Sequence, residues 1–279
     1  MRLILTLSCP DKPGIVHAVT GVIAGCGGNI LQSQQFDDPS SGLFFMRVEI
    51  ESPKGQAPIS RGMDEVAALY GMQWNLDETG RKLRTILMVS KEGHCLSDLL
   101  YRVRYNGLPI EVVTVIGNHP DLQPIAQFYG VPFLCIPVSK DTKAAAEEQL
   151  LHIIQAEKIE LVVLARYMQI LSQDLCRTLE GKAINIHHSF LPSFKGARPY
   201  AQAYERGVKL IGATAHFVTA DLDEGPIIEQ DVARVTHAET VEELVAKGQD
   251  VEQRVLAQAV KWYAEHRVLL SGHRTVVFA

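Results

Sequence analysis

The residues that could do chemistry in this sequence are concentrated at the end of one apolar run, residues 183–186, where polar side chains first appear. Strand periodicity places Asn185 and His187 on the same face of this run. A carboxamide can donate a hydrogen bond to a developing oxyanion, and an imidazole can exchange a proton near neutral pH. The motif alone leaves two interpretations open: a catalytic pair, or two polar residues with satisfied hydrogen bonds at a strand end.

A second polar stretch, the loop at residues 219–226, contains Asp221, Asp223 and Glu224 and is closed by a Gly-Pro pair. A buried carboxylate next to His187 would raise the pKa of the imidazole, fix its tautomer and help it to move a proton. Solvated turn residues are the alternative interpretation of these acids. The loop therefore offers candidate partners for His187.

The loop Met168-Gln169-Ile170-Leu171 stays apolar, although it follows a predicted strand end and a solvent-exposed loop would normally be polar. Such a loop can form one wall of a pocket for a flat heterocycle whose polar edge pairs with backbone groups. Ordinary core packing of the same side chains is the alternative. The sequence thus indicates a candidate ligand wall near residue 170.

Other residue patterns give weaker indications of function. His187, His188 and His216 invite a metal hypothesis, but they lack HExxH or a comparable spacing. Ser189 lacks the GxSxG context of a serine hydrolase. The glycine-rich stretch at residues 25–28 follows a predicted helix, so helix termination explains it better than dinucleotide binding. We therefore expect no metal site.

The composition of the chain is that of a folded globular protein. Of its 279 residues, 47% are hydrophobic and 21% charged, and the formal net charge is −5. These values exclude a disordered chain or coiled coil and provide no basic surface for nucleic acid. Five scattered cysteines without CxxC spacing are typical of a reducing compartment. No apolar run reaches the ~20 residues that cross a bilayer, so we expect a cytoplasmic protein without a membrane partner.

The first part of the chain predicts a small α/β sandwich. Apolar runs and turn residues alternate in the order strand, helix, strand, strand, helix, strand. The predicted strands are at residues 2–8, 29–36, 43–50 and 72–76, and the predicted helices are at residues 15–24 and 60–70. This βαββαβ order is typical of a ferredoxin-like fold, with two helices on one face of an antiparallel sheet.

A polar linker at residues 77–82 leads into a different pattern, in which apolar strands alternate with helices. Strands are predicted at residues 84–89, 111–116, 133–136, 161–164 and 183–186, followed by β-rich runs at 212–218 and 226–235, a helix at 241–266 and a hairpin around 271. We therefore predict a doubly wound, mostly parallel α/β domain at residues 83–279 after a first domain at residues 1–82. Ligands of such sheets bind outside the carboxyl ends of the strands, where Asn185 and His187 are expected to lie.

Three motifs together resemble the 10-formyltetrahydrofolate-dependent formyltransferase family. They are the Asn185-x-His187 strand end, the Asp223-x-Gly225 loop and the apolar loop at residues 168–171. The resemblance implies that Asn185, His187 and Asp223 are the catalytic residues. It also implies that the folate binds against two loops, with contacts from Met168, Gln169, Ile170, Leu171, Ala220 and Leu222.

The first domain resembles the ACT domains, which are small amino-acid-sensing modules. The resemblance rests on residues 11–15 after the first strand and on residues 28–30 at the start of the second. It implies a homo-oligomer, a dimer or tetramer, in which ACT domains pair across subunits. A small amino-acid effector such as glycine or methionine would bind near Asp11, Gly14 and Asn29. Purely structural oligomerisation is the alternative.

An ACT domain followed by a formyltransferase-like domain resembles the formyltetrahydrofolate deformylase family, and the run from Asn185 to Pro192 is also matched. This resemblance implies hydrolysis of 10-formyltetrahydrofolate to tetrahydrofolate and formate, with water as the acceptor. The reaction would supply formate for purine synthesis and balance one-carbon pools. The resemblance implies no cofactor and no metal, since the folate is the substrate.

The implied reaction assigns a task to each of the three residues. Asn185 would donate a hydrogen bond to the oxyanion that forms when water attacks the formyl carbon. His187 would exchange protons with the water, the oxyanion or the leaving amine. Asp223 would hold His187 in the required tautomer, and whether it also accepts the proton stays open.

Two alternative functions belong to other classes. The first is formyl transfer from 10-formyltetrahydrofolate to an amine acceptor. The transferases usually have Pro or Gly where this chain has His188, and Glu92 would lie near an acceptor phosphate, so both residues disfavour transfer. The second is a regulatory protein that binds folate and an amino acid without turnover. The presence of all three catalytic residues argues against that function.

Overall fold

The computed structural model describes residues 1–191 and 199–279. Its contacts divide the chain into two compact units, one of Met1–Arg81 with Glu265–Ala279 and one of Lys82–Ala264. The division made from the sequence assigns residues 83–279 to the second domain, whereas these contacts group the segment from Glu265 onward with the first unit. None of the helices in the described residues combines the length and the apolar character needed to cross a bilayer.

The first unit has the predicted βαββαβ order. Its elements are β1 (Arg2–Pro10), α1 (Ile15–Gly25), β2 (Asn29–Asp38), β3 (Leu43–Glu51), α2 (Ala57–Tyr70) and β4 (Gln73–Glu78). The strands lie in the order β2-β3-β1-β4, and each neighbouring pair is antiparallel. The expected ferredoxin-like fold of this part of the chain is confirmed.

Alternation along β1 explains how the two helices attach to the sheet. Leu3, Leu5 and Leu7 are fully buried and share one core with Val19 of α1 and Met63 of α2. Residues two apart in a strand point to the same face, so this face of the sheet carries both helices. Burial of these side chains is the main stabilising contribution to the unit.

The second unit is a larger α/β sheet. Its strands are β5 (Leu83–Val89), β6 (Ile110–Gly117), β7 (Phe133–Cys135), β8 (Leu161–Leu164), β9 (Ala183–His187), β10 (Leu210–Phe217) and β11 (Ile227–Arg234). Its helices are α3 (His94–Tyr105), α4 (Gln123–Phe128), α5 (Lys143–Ala156), α6 (Gln173–Thr178), α7 (Pro199–Glu205) and α8 (Val241–Ala264). The five strands β5 to β9 are parallel, and β10 and β11 continue the sheet in antiparallel pairs. The prediction of a mostly parallel, doubly wound sheet is confirmed.

The strand order fixes where a ligand can bind. In the order β11-β10-β9-β8-β5-β6-β7, the chain builds one side of the sheet from β5 to β7 and then returns to build the other side from β8. The order therefore reverses between β5 and β8. In open α/β sheets a crevice forms outside the carboxyl ends of the strands at such a reversal.

The terminal hairpin, β12 (Val268–Ser271) and β13 (Arg274–Val277), is attached to the first unit by specific polar contacts. Arg274 forms an ion pair with Asp38 at 2.8 Å. Arg47, which is buried, donates from Nη2 to the carbonyl oxygen of Glu265 at 3.1 Å. These groups are far apart in sequence, so sequence periodicity does not predict which unit the hairpin joins.

Candidate active site

A cavity of about 720 Å³ lies at the carboxyl ends of β8 and β9, within the second unit. It is lined by side chains from the β8–α6 loop, β9, β10, the β10–β11 loop and α8. Every predicted catalytic and folate-contacting residue is among the lining residues: Asn185, His187, Asp223, Met168, Gln169, Ile170, Leu171, Ala220 and Leu222. The structure thus brings together in one cavity residues that are separated by up to one fifth of the chain.

The pairing of β9 with β10 positions the polar pair. Asn185 lies opposite His216, and His187 lies opposite Thr214. The side-chain amide nitrogen of Asn185 is 3.3 Å from Nε2 of His216. As expected from strand alternation, Asn185 and His187 both line the cavity.

Asp223 reaches His187 from the loop between β10 and β11. Its Oδ2 is 3.3 Å from Nδ1 of His187. Asp223 adopts a left-handed backbone conformation with φ of 57°. Gly225 permits the loop to approach β10, because a Cβ at that position would overlap the carbonyl oxygen of Phe217. The loop geometry selects Asp223, and not its neighbour Asp221, as the partner of His187.

The electrostatics keep the Asp223 carboxyl ionised. Burial alone would raise its pKa, but the contact with His187 and the charge interactions with His187 and His216 outweigh burial and hold the pKa below its ordinary value. An ionised carboxylate accepts hydrogen bonds only, so the Nδ1 of His187 carries the proton that faces it. The neutral ring then has its lone pair on Nε2.

Nε2 of His187 is buried and has no hydrogen-bond partner among the residues that the structure describes. A buried polar atom without a partner is costly, and in native proteins it usually faces a ligand or an ordered water. Because the ring lines the cavity, this nitrogen is suited to accept a proton from a molecule bound there.

The loop after β8 supplies the apolar part of the cavity. Met168 and Ile170 are 58% and 62% exposed, and Leu222 in the facing loop is 59% exposed. The backbone N–H of Met168 donates to Oγ of Ser90 at 2.8 Å, which ties the loop to the end of β5. Exposed apolar side chains held around a cavity favour a ligand with an apolar face.

His216 also belongs to this site, although the sequence indicated it only as a possible metal ligand. Its Nδ1 donates to the carbonyl oxygen of Phe217 at 2.8 Å, and its Nε2 is 3.7 Å from Oδ1 of Asp223. It therefore contacts both the amide of Asn185 and the carboxylate of Asp223. Its position opposite Asn185 depends on the register of β9 and β10, which the sequence does not reveal.

A charged cluster around the buried Arg166, which we call the Arg166 cluster, was not predicted, and all of its members except His94 line the cavity. Its members are Glu92, His94, Arg166, His188, Tyr200 and Glu252. The buried guanidinium of Arg166 lies 2.9 Å from Glu92 and 3.4 Å from Glu252. The only sequence signal is a glutamate on an otherwise apolar face of α8, flanked by the buried Val251 and Val255.

Two members of the Arg166 cluster, together with the neighbouring Cys95, have the geometry of a metal site. The candidate ligand atoms of His94, Cys95 and Glu252 lie within 4.8 Å of one another. However, Oε2 of Glu252 already interacts with Nε2 of His94 at 2.8 Å and with Nε of Arg166 at 3.4 Å. The guanidinium would repel a metal cation at this carboxylate, so the contacts favour an ion-pair network.

The three predicted effector residues do not meet within one chain. Asn29 begins β2 and is paired through β3 with the Arg2 end of β1, whereas Asp11 and Gly14 follow the opposite end of β1. The eight residue steps along β1 correspond to about 26 Å.

The predicted motif from Asn185 to Pro192 is described only as far as Leu191, and Pro192 lies outside the described residues.

Comparisons with known proteins identify the class of protein that this fold and site define. The family model described as "Formyl transferase" matches residues 83–260, and the ACT domain model matches residues 1–76. The second unit is therefore a formyl transferase domain, and an ACT domain precedes it.

Relatives that match over nearly the whole chain narrow the class. Formyltetrahydrofolate deformylase from Corynebacterium sp. (strain P-1) is 52% identical and covers 99% of this chain and 98% of its own length. The Synechocystis sp. deformylase is 46% identical, with 99% and 98% coverage. The crystal structure of the Burkholderia mallei deformylase matches with a TM-score of 0.96 and 48% identity over 100% of this chain and 99% of that one. This chain belongs to the formyltetrahydrofolate deformylase family.

Proposed function

We propose that this protein hydrolyses 10-formyltetrahydrofolate to tetrahydrofolate and formate. The observation that carries the proposal is the buried Nε2 of His187 in the cavity, which has no partner within residues 1–191 and 199–279, with Asp223 on the other ring nitrogen. The activity named for relatives that are 46–52% identical over nearly the whole chain supports it. Transfer to an amine acceptor is less well supported.

The reaction proceeds by addition and elimination. Water gives a proton to Nε2 of His187 while its oxygen forms a bond to the formyl carbon, and the carbonyl electrons move to the formyl oxygen. The amide N–H of Asn185 stabilises the resulting oxyanion. The C=O bond then re-forms, and the C–N10 bond breaks. N10 keeps the bonding electrons and takes the proton from His187, so that tetrahydrofolate and formic acid, which ionises to formate, leave the site.

Asp223 supports both proton transfers in this mechanism. Its carboxylate fixes the Nδ1–H tautomer of His187 and stabilises the imidazolium while the ring holds the transferred proton. We assign Asp223 the role of a carboxylate that stays ionised and orients His187 without taking the proton itself, and its lowered pKa supports this role. These steps use side chains and water, and no cofactor or metal enters them.

The folate would bind with its pterin ring against Met168, Gln169, Ile170 and Leu171, and with Ala220 and Leu222 on the facing loop. Four of these side chains, those of Met168, Ile170, Ala220 and Leu222, are exposed and apolar, which suits the face of a flat heterocycle. The polar edge of the ring would pair with backbone groups of the two loops.

The direct test is to incubate the purified protein with 10-formyltetrahydrofolate alone and to follow formate and tetrahydrofolate over time. We expect equal amounts of the two products from the wild type, and release that is at least about 100-fold slower from Asp223→Asn. If formate appears only as a formylated amine after an amine is added, the protein is a transferase. Folate binding without any product would identify a regulatory binding protein.

The ACT domain at residues 1–82 would regulate a catalytic domain at residues 83–279 by binding a small amino acid such as glycine or methionine. Within one chain, Asn29 lies at the opposite end of the sheet from Asp11 and Gly14. Two copies of the chain would therefore have to complete the effector site. This favours a homo-oligomer, a dimer or tetramer. Glycine or methionine should change the rate of formate release, and Asn29→Ala should abolish that response, while the exposed Asn75→Ala should preserve it.

The proposed compartment is the cytoplasm. All five cysteines are free, as in a reducing environment. Fractionation of cells that express a tagged chain would test this assignment.

A further inference from the structure

His188, which follows β9, lies beside the imidazole to which the mechanism assigns proton transfer. The rings of His187 and His188 are nearly parallel, with centroids 5.1 Å apart and an angle of 15° between their planes. Both rings line the cavity. The mechanism proposed above gives His188 no role.

Arg166 determines which nitrogen of His188 carries a proton. Nη1 of Arg166 contacts Nδ1 of His188. A guanidinium is always protonated and can only donate, so Nδ1 of His188 must present its lone pair. The proton of the neutral ring is therefore on Nε2, and His188 is a hydrogen-bond donor.

Two carboxylates hold Arg166 in place, and two further side chains hold one of these carboxylates. Glu92 Oε2 accepts from Nε of Arg166 at 3.0 Å, and Glu252, which is 1% exposed, lies 3.4 Å from the same nitrogen. Glu252 also accepts from the hydroxyl of Tyr200 at 2.5 Å and contacts Nε2 of His94 at 2.8 Å. A buried guanidinium with this number of partners has little freedom to release His188.

The two adjacent rings consequently present opposite groups. Nε2 of His187 has a lone pair, because Nδ1 faces Asp223, whereas Nε2 of His188 has an N–H, because Nδ1 faces Arg166. One water with two hydrogen bonds of about 2.8 Å spans about 4.6 Å. The ring centroids are 5.1 Å apart, which places the two rings within reach of the same bound molecule.

We propose that His188 is a further catalytic residue, whose Nε2–H holds the attacking water while Nε2 of His187 accepts its proton, and that Arg166 and Glu252 are its positioning residues. This inference rests on the proposed hydrolysis. The water uses one lone pair to accept from His188, the other to form the C–O bond to the formyl carbon, and gives its proton to His187. His188 keeps its own proton throughout.

The same arrangement selects water over an amine. Water has two lone pairs, so it can accept from His188 and still attack the carbon. A neutral primary amine has one lone pair, which must form the new C–N bond. An amine at this position would leave the Nε2–H of His188 without an acceptor in a buried cavity, which is unfavourable.

The test compares His188→Gln, whose amide can still donate, with His188→Met, which has similar length and no donor. The assay contains 10-formyltetrahydrofolate with and without 2,2,2-trifluoroethylamine, a primary amine that is largely uncharged at pH 7.5. Formate and the N-formyl amine are quantified, the latter by ¹⁹F NMR. Tetrahydrofolate binding checks the fold of each variant, and the exposed His152→Ala is the histidine control.

We expect His188→Met to lower kcat for formate release about 100-fold, as for loss of a donor at a reacting centre. KM for the folate should stay within about threefold, and His188→Gln should keep at least one tenth of the turnover. The ratio of N-formyl amine to formate should rise at least about tenfold in His188→Met and not in His188→Gln.

A second variant tests the positioning role of Arg166. In Arg166→Gln the guanidinium no longer opposes protonation of His188, so the acidic limb of the kcat profile should move toward neutral pH. Adding His188→Gln should remove that shift.

Other outcomes would overturn the inference. If the wild type releases formate and His188→Met matches it, or if both His188 variants lose activity equally at an unchanged product ratio, His188 does not hold the water. An unshifted pH profile in Arg166→Gln would remove Arg166 from this role. If the wild type releases no formate, the proposed hydrolysis itself is wrong, and the inference is wrong with it.

Discussion

His187 and His188 are adjacent in the sequence, but their neighbours give them opposite hydrogen-bonding roles. The carboxylate of Asp223 requires an N–H on Nδ1 of His187, and the guanidinium of Arg166 requires a lone pair on Nδ1 of His188. A charged group imposes such a tautomer more strongly in a site of low local dielectric than in bulk water. At the residue scale, function therefore depends on which charge faces each ring.

We expect Asp223→Asn to lower kcat by about 10²- to 10⁴-fold while KM changes little, because an amide neither fixes the tautomer of His187 nor stabilises its charged form. Formate release over a range of folate concentrations measures both parameters. Asp221→Asn, an exposed acid in the same loop, is the matched control and should behave as wild type. Near-normal turnover of Asp223→Asn would remove Asp223 from the mechanism.

His188 should also make stability depend on pH. Burial, together with the charges of Arg166 and His187, lowers its pKa from 6.5 to about 4 in the folded protein. Below pH 6.5 the unfolded chain binds a proton that the folded protein does not, so stability should fall with pH until about pH 4, where the folded protein also binds it.

The decrease in the free energy of unfolding that His188 causes between pH 6.5 and pH 4 should be at most about 3 kcal/mol. Urea unfolding of wild type and His188→Gln at pH 7 and pH 4.5 measures it. The variant should lose less stability on acidification, and equal losses would show that His188 does not contribute.

At the scale of elements, α8 supports the site through a close contact in its interior. Gly248 lies one turn before Glu252, and the Tyr200 ring packs directly against its Cα. This approach lets the Tyr200 hydroxyl reach Glu252 at 2.5 Å. A glycine in the middle of a helix is intrinsically unfavourable, so here packing overrides helix propensity.

Gly248→Ala should therefore destabilise the protein by about 1–3 kcal/mol, because the added methyl group would overlap the Tyr200 ring. Gly21→Ala in α1 is the control, since nothing lies within 4 Å of the added Cβ. That change should stabilise by about 0.5–1 kcal/mol through helix propensity. Urea unfolding of the two variants should give shifts of opposite sign, and stabilisation by Gly248→Ala would contradict the packing argument.

At the scale of the whole molecule, the chain returns to its first unit after building the second. The contacts of Arg47 with Glu265 and of Arg274 with Asp38 connect the two ends of the sequence. The first unit is therefore complete only when residues 265–279 have joined residues 1–81. The polar groups of Arg47 would lose a buried partner without the last segment.

The sequence has two tryptophans, Trp74 in the first unit and Trp262 in the second. Deletion of residues 265–279 should lower the urea midpoint reported by Trp74 and leave that reported by Trp262 nearly unchanged. Trp262→Phe and Trp74→Phe backgrounds separate the two fluorescence signals. A shift confined to Trp262 would place the hairpin with the second unit.

The sequence by itself determined the secondary structure and the class of fold. Hydrophobic period and turn residues are local properties, and they predicted both sheets and the two helices of the first unit. Polar residues at the end of an apolar strand also indicated the location of the cavity, since ligands of parallel sheets bind at that edge.

Only the tertiary structure decided which side chains meet. It placed Asp223, and not Asp221 or Glu224, against His187, it brought Glu252 from α8 to Arg166, and it separated Asn29 from Asp11. The physical reason is that such contacts depend on strand register, loop conformation and helix docking. These involve residues far apart in the chain, and no local pattern in the sequence encodes the distance between them.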